Sequence, residues 1–380
     1  MTAEEESALE AGSDAALAVA VGVMSGTSMD GVDVALIRSD GETRVEAGPG
    51  ATFPYPPGLA SALREVVANP KEAEQPQPEL EREVTDAHVA AVKAFLARLG
   101  LAGADVAVVG LHGQTILHRP RQRLTRQLMN GARAAKALCI DVVCDFRAAD
   151  VAVGGEGAPL APVYHAAITA GLERPLIVLN LGGVGNVTYL GDDGAIVAFD
   201  TGPANALIDD FCLRRLGKPF DADGALAASG RIEMKMLDKL MSDPYFDRPP
   251  PKSLDRNHFA ALAASVEALN DADGAATLSA FTVEATARAL EHLPKAPRRW
   301  LIAGGGRRNS FLMSSLAEKL RVKVEPIEAI GFDGDALEAE CFAYLALRSL
   351  KGLPLSFPTT TGAPSPLAGG VFWPAFDAGR

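Results

Sequence analysis

The sequence predicts an α/β protein of two similar halves that close on a shared cleft. Three observations predict it. Small-residue turns recur at 25–33 (SGTSMDGVD), 181–186 (LGGVGN) and 303–309 (AGGGRRN). The first two lie between paired apolar runs, so the chain repeats a strand–turn–strand unit. At 380 residues the chain is long for one core and suits two domains.

In chain order, residues 1–16 are acidic and alanine-rich, lack a basic leader region, and are expected to form a disordered tail. Runs 17–23 and 32–38 read as a hairpin with the first turn at its tip, and a strand near 51–53 follows. Prolines at 54–57 break the pattern. Residues 80–99 have helical periodicity, with Val84, Val89, Val92, Phe95 and Leu96 broadly on one side. A strand at 106–111 ends at His112-Gly113-Gln114-Thr115, a helix covers 130–138, and a strand at 140–143 ends at Asp145-Phe146-Arg147. The Gly/Pro-rich stretch 151–162 is the expected crossing between halves, and a helix at 162–170 follows it. Strands at 176–179 and 187–190 flank the second turn, and a strand at 196–199 ends at Asp200-Thr201-Gly202-Pro203. Helices are expected at 205–216, 232–241, 258–269 and 275–292. A strand at 300–303 opens the third turn, with helices at 310–320 and 336–350 and loops beyond 353. The expected domains are 17–150 with 336–380, and 151–335.

Apolar residues make up 48% and charged residues 22%, as in ordinary globular chains, and the net charge of −12 argues against nucleic acid and anionic membranes as partners. The apolar stretch 15–24 is too short to span a bilayer. The four cysteines show no metal spacing and read as buried apolar residues of a reducing compartment, so the expected location is cytoplasmic.

Glycine at a turn lets backbone N–H groups approach an anion with no Cβ in the way. The first turn adds two hydroxyls (Thr27, Ser28) and two carboxylates (Asp30, Asp33), which suit a terminal phosphate and a Mg²⁺ ion reached directly or through water. The same Asp-Gly pair also suits a plain hairpin turn. Three consecutive glycines at 304–306 are hard to justify by packing and suit close approach by a nucleoside. Asp200 sits where a general base of an interdomain cleft would sit, or else caps the following helix. Asp145, Arg147 and Asp150 read as an internal ion pair. Glu340 reads as solvated, and Glu338 as directed into the cleft.

The stretches GVMSGTSMDGVDVAL, GLHGQTILHRP, DFRAADVAVGGEGAPLAPVYH, LNLGGVGNV, FDTGPANALIDD, FDADGALAASG, PPKSLDR and GGGRRN, in this order, resemble the anhydro-N-acetylmuramic acid kinases, a branch of the actin-like, hexokinase-like ATPases with duplicated ribonuclease H-like domains. The resemblance implies an ATP- and Mg²⁺-dependent kinase of cell-wall recycling. Such an enzyme converts 1,6-anhydro-N-acetylmuramic acid, ATP and water to N-acetylmuramic acid 6-phosphate and ADP. It implies ATP phosphates at Ser25, Gly26, Thr27, Ser28, Met29, Asp30, Gly31, Val32 and Asp33, with Gly182, Gly183 and Asn186 as a second phosphate loop. Gly304, Gly305, Gly306 and Asn309 would line the nucleoside, Asp200 would be the base, and His112, Gln114, Gly155, Gly157, Pro203 and Glu338 would lie near the sugar. The chain departs from the family pattern at Glu156 (usually Gln), Arg126–Asn130 and Ala204 (usually Gly). Another small-molecule kinase of the superfamily, or a nucleotide-driven module without catalysis, are the alternatives; a homodimer is left open.

Overall fold

Apolar runs punctuated by glycine and proline turns fold into two sheets joined through a shared core. The computed structural model describes residues 17–26, 29 and 31–375; the expected tail and Thr27, Ser28 and Asp30 lie outside them. In the first half, β1 (Ala18–Ser25), β2 (Gly31–Ser39) and β3 (Val45–Pro54) form an antiparallel meander. Helix α1 (Pro57–Ala68) and the long α2 (Pro78–Leu99) follow, then β4 (Val108–Arg119), β5 (Leu124–Leu128), α3 (Gly131–Leu138) and β6 (Val142–Cys144). In the second half, α4 (Pro162–Ile168) leads to β7 (Leu176–Leu181), β8 (Val184–Leu190) and β9 (Ile196–Pro203), a second antiparallel meander. Next come α5 (Asn205–Leu216), α6 (Met234–Met241), α7 (Asp271–Arg288), β10 (Arg299–Ala303), α8 (Ser310–Leu320) and β11 (Lys323–Pro326). Helix α9 (Leu337–Leu350) and β12 (Val371–Trp373) close the chain on the first half.

The two sheets repeat one topology. The order β6-β4-β1-β2-β3 in the first, extended by β12 and β5, matches β11-β10-β7-β8-β9 in the second. In both, the first strand pairs parallel with the fourth and antiparallel with the second. Helix α9 lies against β1 and β4 at backbone contact: a Cβ on Gly22 would fall 1.8 Å from the Ala339 carbonyl oxygen, and one on Gly110 2.1 Å from that of Phe342. These two glycines seat the helix that carries Glu338 and Glu340. A core of Ala20, Ile37, Val108 and Val143 from one sheet and Leu176, Val178 and Leu301 from the other joins the halves, with Tyr164, Phe342 and Tyr344 between them.

Several sequence expectations are corrected. The prolines at 54–57 break β3 but also start α1, because proline at the first helical turn loses no hydrogen bond. The HGQT and DTGP quartets do not follow strands: β4 and β9 continue through them, held by β5 and β8. The 258–269 helix is split into Ala260–Ala263 and a tighter turn at Ala264–Ala268. Cys139 is exposed, unlike the other three cysteines. Strands β5, β11 and β12 are short or polar and carry no period-two signal.

Candidate active site

The cleft between the halves encloses about 680 Å³. The main chain at the end of β9 places Asp200 in its wall. Asp200 faces Asn186 across the β8–β9 pair, beside an irregularity in the register at Gly185 and Asn186. Its backbone is clamped on both sides: the N–H donates to Lys252 O (3.0 Å), and the carbonyl accepts from Tyr245 Oη (2.7 Å). The Leu254 N–H donates to Oδ2 at 2.8 Å. Burial lifts the Asp200 pKa to about 7, against the lowering effect of the Leu254 bond, and the charge of Glu156 adds to the rise. Asp200 therefore does not cap α5, whose N-cap is Ala204. A carboxylate of this kind, held by one backbone donor with its other oxygen unengaged, is equipped to take a proton near neutral pH.

Of the other sequence-nominated residues, Asp33, Asn186, Gly304 and Glu338 also line the cleft. Water reaches Glu338 although protein surrounds it, and burial raises its pKa. The first turn is braced from behind. Ser25 Oγ donates to Gln114 Oε1 (2.5 Å) and accepts from Tyr55 Oη (2.9 Å), and Gln114 Nε2 donates to Gly26 O (3.2 Å). Gln114 is thus fully buried and spent on the turn. Met29 adopts φ 53° with its N–H on Gly26 O, Gly31 pairs with Pro54, and Val32 is core. The Asp33 carboxylate accepts from Thr52 Oγ1 at 2.6 Å.

The second turn rests on the start of α5, whose N–H groups at Asn205 and Ala206 donate to Gly182 O and Gly183 O. The third packs onto the second. A Cβ on Gly304 (φ 75°) would lie 2.3 Å from Asn180 Oδ1, and one on Gly306 2.6 Å from Leu181 Cβ, whereas one on Gly305 would meet nothing closer than 3.8 Å. Packing between turns accounts for Gly304 and Gly306, which corrects the expectation that packing does not; only Gly305 is open. Asn309 caps α8 through the Leu312 N–H (3.0 Å).

His112 is buried and packs at a tilt against Phe342, 4.6 Å between ring centres, and its pKa is driven far down by burial, so the ring is neutral. Its Nε2 accepts from Arg147 Nε at 3.0 Å, and Arg147 Nη1 donates to Gly157 O at 2.8 Å. Asp150 does not pair with Arg147. Its oxygens accept from Gly157 N, Ser356 Oγ and Thr361 Oγ1 at 2.5–2.7 Å. A Cβ on Gly155 would collide with that carboxylate at 2.1 Å. Pro203 pairs with Val184 at the end of β9.

Sequence reading missed three groups. Lys252 is buried, its Nζ donates to Tyr245 O and Phe246 O, and burial lowers its pKa to about 8. Arg147 lines the cleft. Glu340 is fully buried rather than solvated, and accepts from Tyr164 Oη at 2.7 Å. The only signal for Lys252 was its place in PPKSLDR.

Residues 18–375 match the family described as anhydro-N-acetylmuramic acid kinase. Proteins of that name from Rhodospirillum rubrum and Paramagnetospirillum magneticum are 54% and 52% identical. The first alignment covers 94% of both chains, and the second 93% of this chain and 98% of its relative. The chain belongs to the anhydro-N-acetylmuramic acid kinase family. Its two sheets repeat one strand order. Among solved structures, component A of the Acidaminococcus fermentans (R)-2-hydroxyglutaryl-CoA dehydratase overlays with a TM-score of 0.47 at 12% identity, covering 87% of this chain and 99% of that one.

The departures from the kinase family pattern take ordinary places. Arg126 turns away from the cleft and donates to the Ala73 and Gln75 carbonyls. Ala204 takes φ −119° and ψ −110° at the N-cap of α5. Glu156 is the departure that lines the cleft, with Ser253 Oγ donating to Oε2 at 3.4 Å. Among the described residues no helix is long and apolar enough to cross a membrane.

Proposed function

We propose that this protein is an anhydro-N-acetylmuramic acid kinase that opens the 1,6-anhydro ring with water and phosphorylates O6 from ATP, yielding N-acetylmuramic acid 6-phosphate and ADP in cell-wall recycling. The single observation that carries the mechanism is Asp200: a carboxylate in the cleft wall, backbone-held, with a pKa of about 7. Ionised, it takes a proton from water as that water attacks the anomeric carbon opposite the leaving oxygen, the base half of an inverting glycosidase. The oxygen released from C1 takes the terminal phosphoryl group, so one carboxylate suffices and no acid is needed to protonate the leaving group.

Ser25, Gly26, Thr27, Ser28, Met29, Asp30, Gly31, Val32 and Asp33 would receive the phosphates from one side, and Gly182, Gly183 and Asn186 from the other. The open edge at Gly305 would receive the nucleoside beside Gly304, Gly306 and Asn309. A Mg²⁺ ion would be brought in on the triphosphate and met by Asp33 through water. Bound there, Mg²⁺ would neutralise phosphate charge. His112, Gly155, Gly157, Pro203 and Glu338 would shape the sugar side, and Gln114, nominated with them, would instead hold the first turn from behind. Closure of 17–150 with 336–380 onto 151–335, in the cytoplasm, would keep bulk water from the phosphoryl group.

The test is ADP release by the purified protein with and without the anhydro sugar, with the product weighed by mass spectrometry. Stimulated release and a product heavier by one phosphoryl group plus one water support the reading. A product heavier by the phosphoryl group alone makes it a plain sugar kinase.

A further inference from the structure

Arg147 is a cation with no salt-bridge partner among the described residues. Among the described residues no carboxylate forms an ion pair with it: Glu338 and Asp150 act on its charge only through space, and Asp150 spends its oxygens on Gly157 N, Ser356 Oγ and Thr361 Oγ1. Two neutral acceptors, His112 Nε2 and Gly157 O, hold the Nε and Nη1 edge, and Phe342 lies under the plane with its ring centre 6.0 Å from the guanidinium carbon. Among the described residues the Nη2 edge has no hydrogen-bond partner, and the residue lines the cleft. A guanidinium taken largely out of water and held only by neutral acceptors costs free energy that an arriving anion would recover. Its fork suits a carboxylate.

The other cations in the wall are engaged. Lys252 Nζ is bonded to two carbonyls, and Arg308 is paired with Asp335. The remaining charged groups of the wall are acids: Asp33, Glu156, Asp200 and Glu338. One seat for an anion is therefore built into this side of the cleft, beside Gly157 and Glu338.

We propose that Arg147 is the carboxylate-recognising residue, and that its free edge binds the lactyl carboxylate that distinguishes a muramic acid from a plain N-acetylglucosamine. This rests on the sugar-kinase reading above. Fixing the guanidinium beforehand through His112 and Gly157 makes recognition geometric: the acid sugar completes the fork, whereas the neutral sugar leaves the charge unpaired.

The experiment compares kcat/KM for 1,6-anhydro-N-acetylmuramic acid and for 1,6-anhydro-N-acetylglucosamine, in wild type, Arg147→Lys and Arg147→Ala. Wild type should prefer the acid sugar by about 30-fold or more, as a charge-assisted pair warrants. Arg147→Ala should lose at least about tenfold more on the acid sugar than on the neutral one, through KM, and Arg147→Lys should fall between. Added guanidinium ion should rescue Arg147→Ala on the acid sugar selectively. Equal wild-type rates on both sugars, equal losses on both in the variants, or a rise confined to the KM for ATP overturns the carboxylate seat while leaving the kinase reading intact. A wild type that phosphorylates neither sugar sinks both.

Discussion

The backbone N–H of Leu254 donates to Oδ2 of Asp200 at 2.8 Å, while the charge of Glu156 acts on the same carboxylate in the opposite sense. Burial is the larger effect and sets the Asp200 pKa at about 7. A base is active when ionised, so kcat/KM should rise with pH through about 7 and level above it. Glu156→Gln removes the like charge, and the ascending limb should move to lower pH. A pH–rate profile of the variant that superimposes on that of wild type refutes the coupling.

Asp200→Asn keeps the size and an acceptor for the Leu254 N–H but cannot take a proton. Ring opening and phosphate transfer should fall together by about 10²-fold or more. Single-turnover assays that follow sugar and ADP separately check this, and a variant that still releases ADP at the sugar-stimulated rate contradicts the coupled step.

Why these residues were legible and others were not has a physical basis. Glycine turns, apolar runs and a carboxylate directly after such a run are local features, so the duplicated topology and the nomination of Asp200 followed from the sequence. The boundaries of β4 and β9 did not, because HGQT and DTGP look like turns until β5 and β8 supply their partners. The isolation of Arg147 depends on Asp150 being taken up by Ser356 and Thr361, more than 200 positions away. No window of sequence contains that competition. Glu340 failed for a similar reason: α9 is buried nearly all round, against β1 on one side and Tyr164 on another, so the usual rule that helix glutamates face water does not apply.

Gly304 and Gly305 separate packing from ligand approach. Gly304→Ala would drive a Cβ to 2.3 Å from Asn180 Oδ1 at a positive φ, and should destabilise the protein by about 1–3 kcal/mol. Gly305→Ala meets nothing nearer than 3.8 Å, so its melting temperature should match that of wild type. If the nucleoside rests on this edge, the same variant raises KM for ATP several-fold. Thermal melts and ATP titrations of the two variants measure both effects, and an unchanged KM in Gly305→Ala moves the nucleoside elsewhere.

Glu340 makes stability depend on pH in a defined direction. Its carboxyl is buried, Oε1 has no partner, and Oε2 accepts from Tyr164; burial raises its pKa from the usual 4.5 to about 7. The native state therefore holds this proton more tightly than the unfolded chain. Its contribution to stability is most favourable below pH 4.5 and declines as pH rises to about 7, beyond which it is constant. Glu340→Gln mimics the protonated side chain, still accepts from Tyr164, and has no charge to bury. Near pH 5 its stability should lie close to that of wild type. By pH 8 it should exceed wild type by on the order of 1–3 kcal/mol, the size expected for a shift of this kind. Denaturant unfolding of both proteins at pH 5 and pH 8 measures the difference directly, and a gap that stays constant with pH would mean that Glu340 ionises as freely in the folded protein as in the unfolded chain.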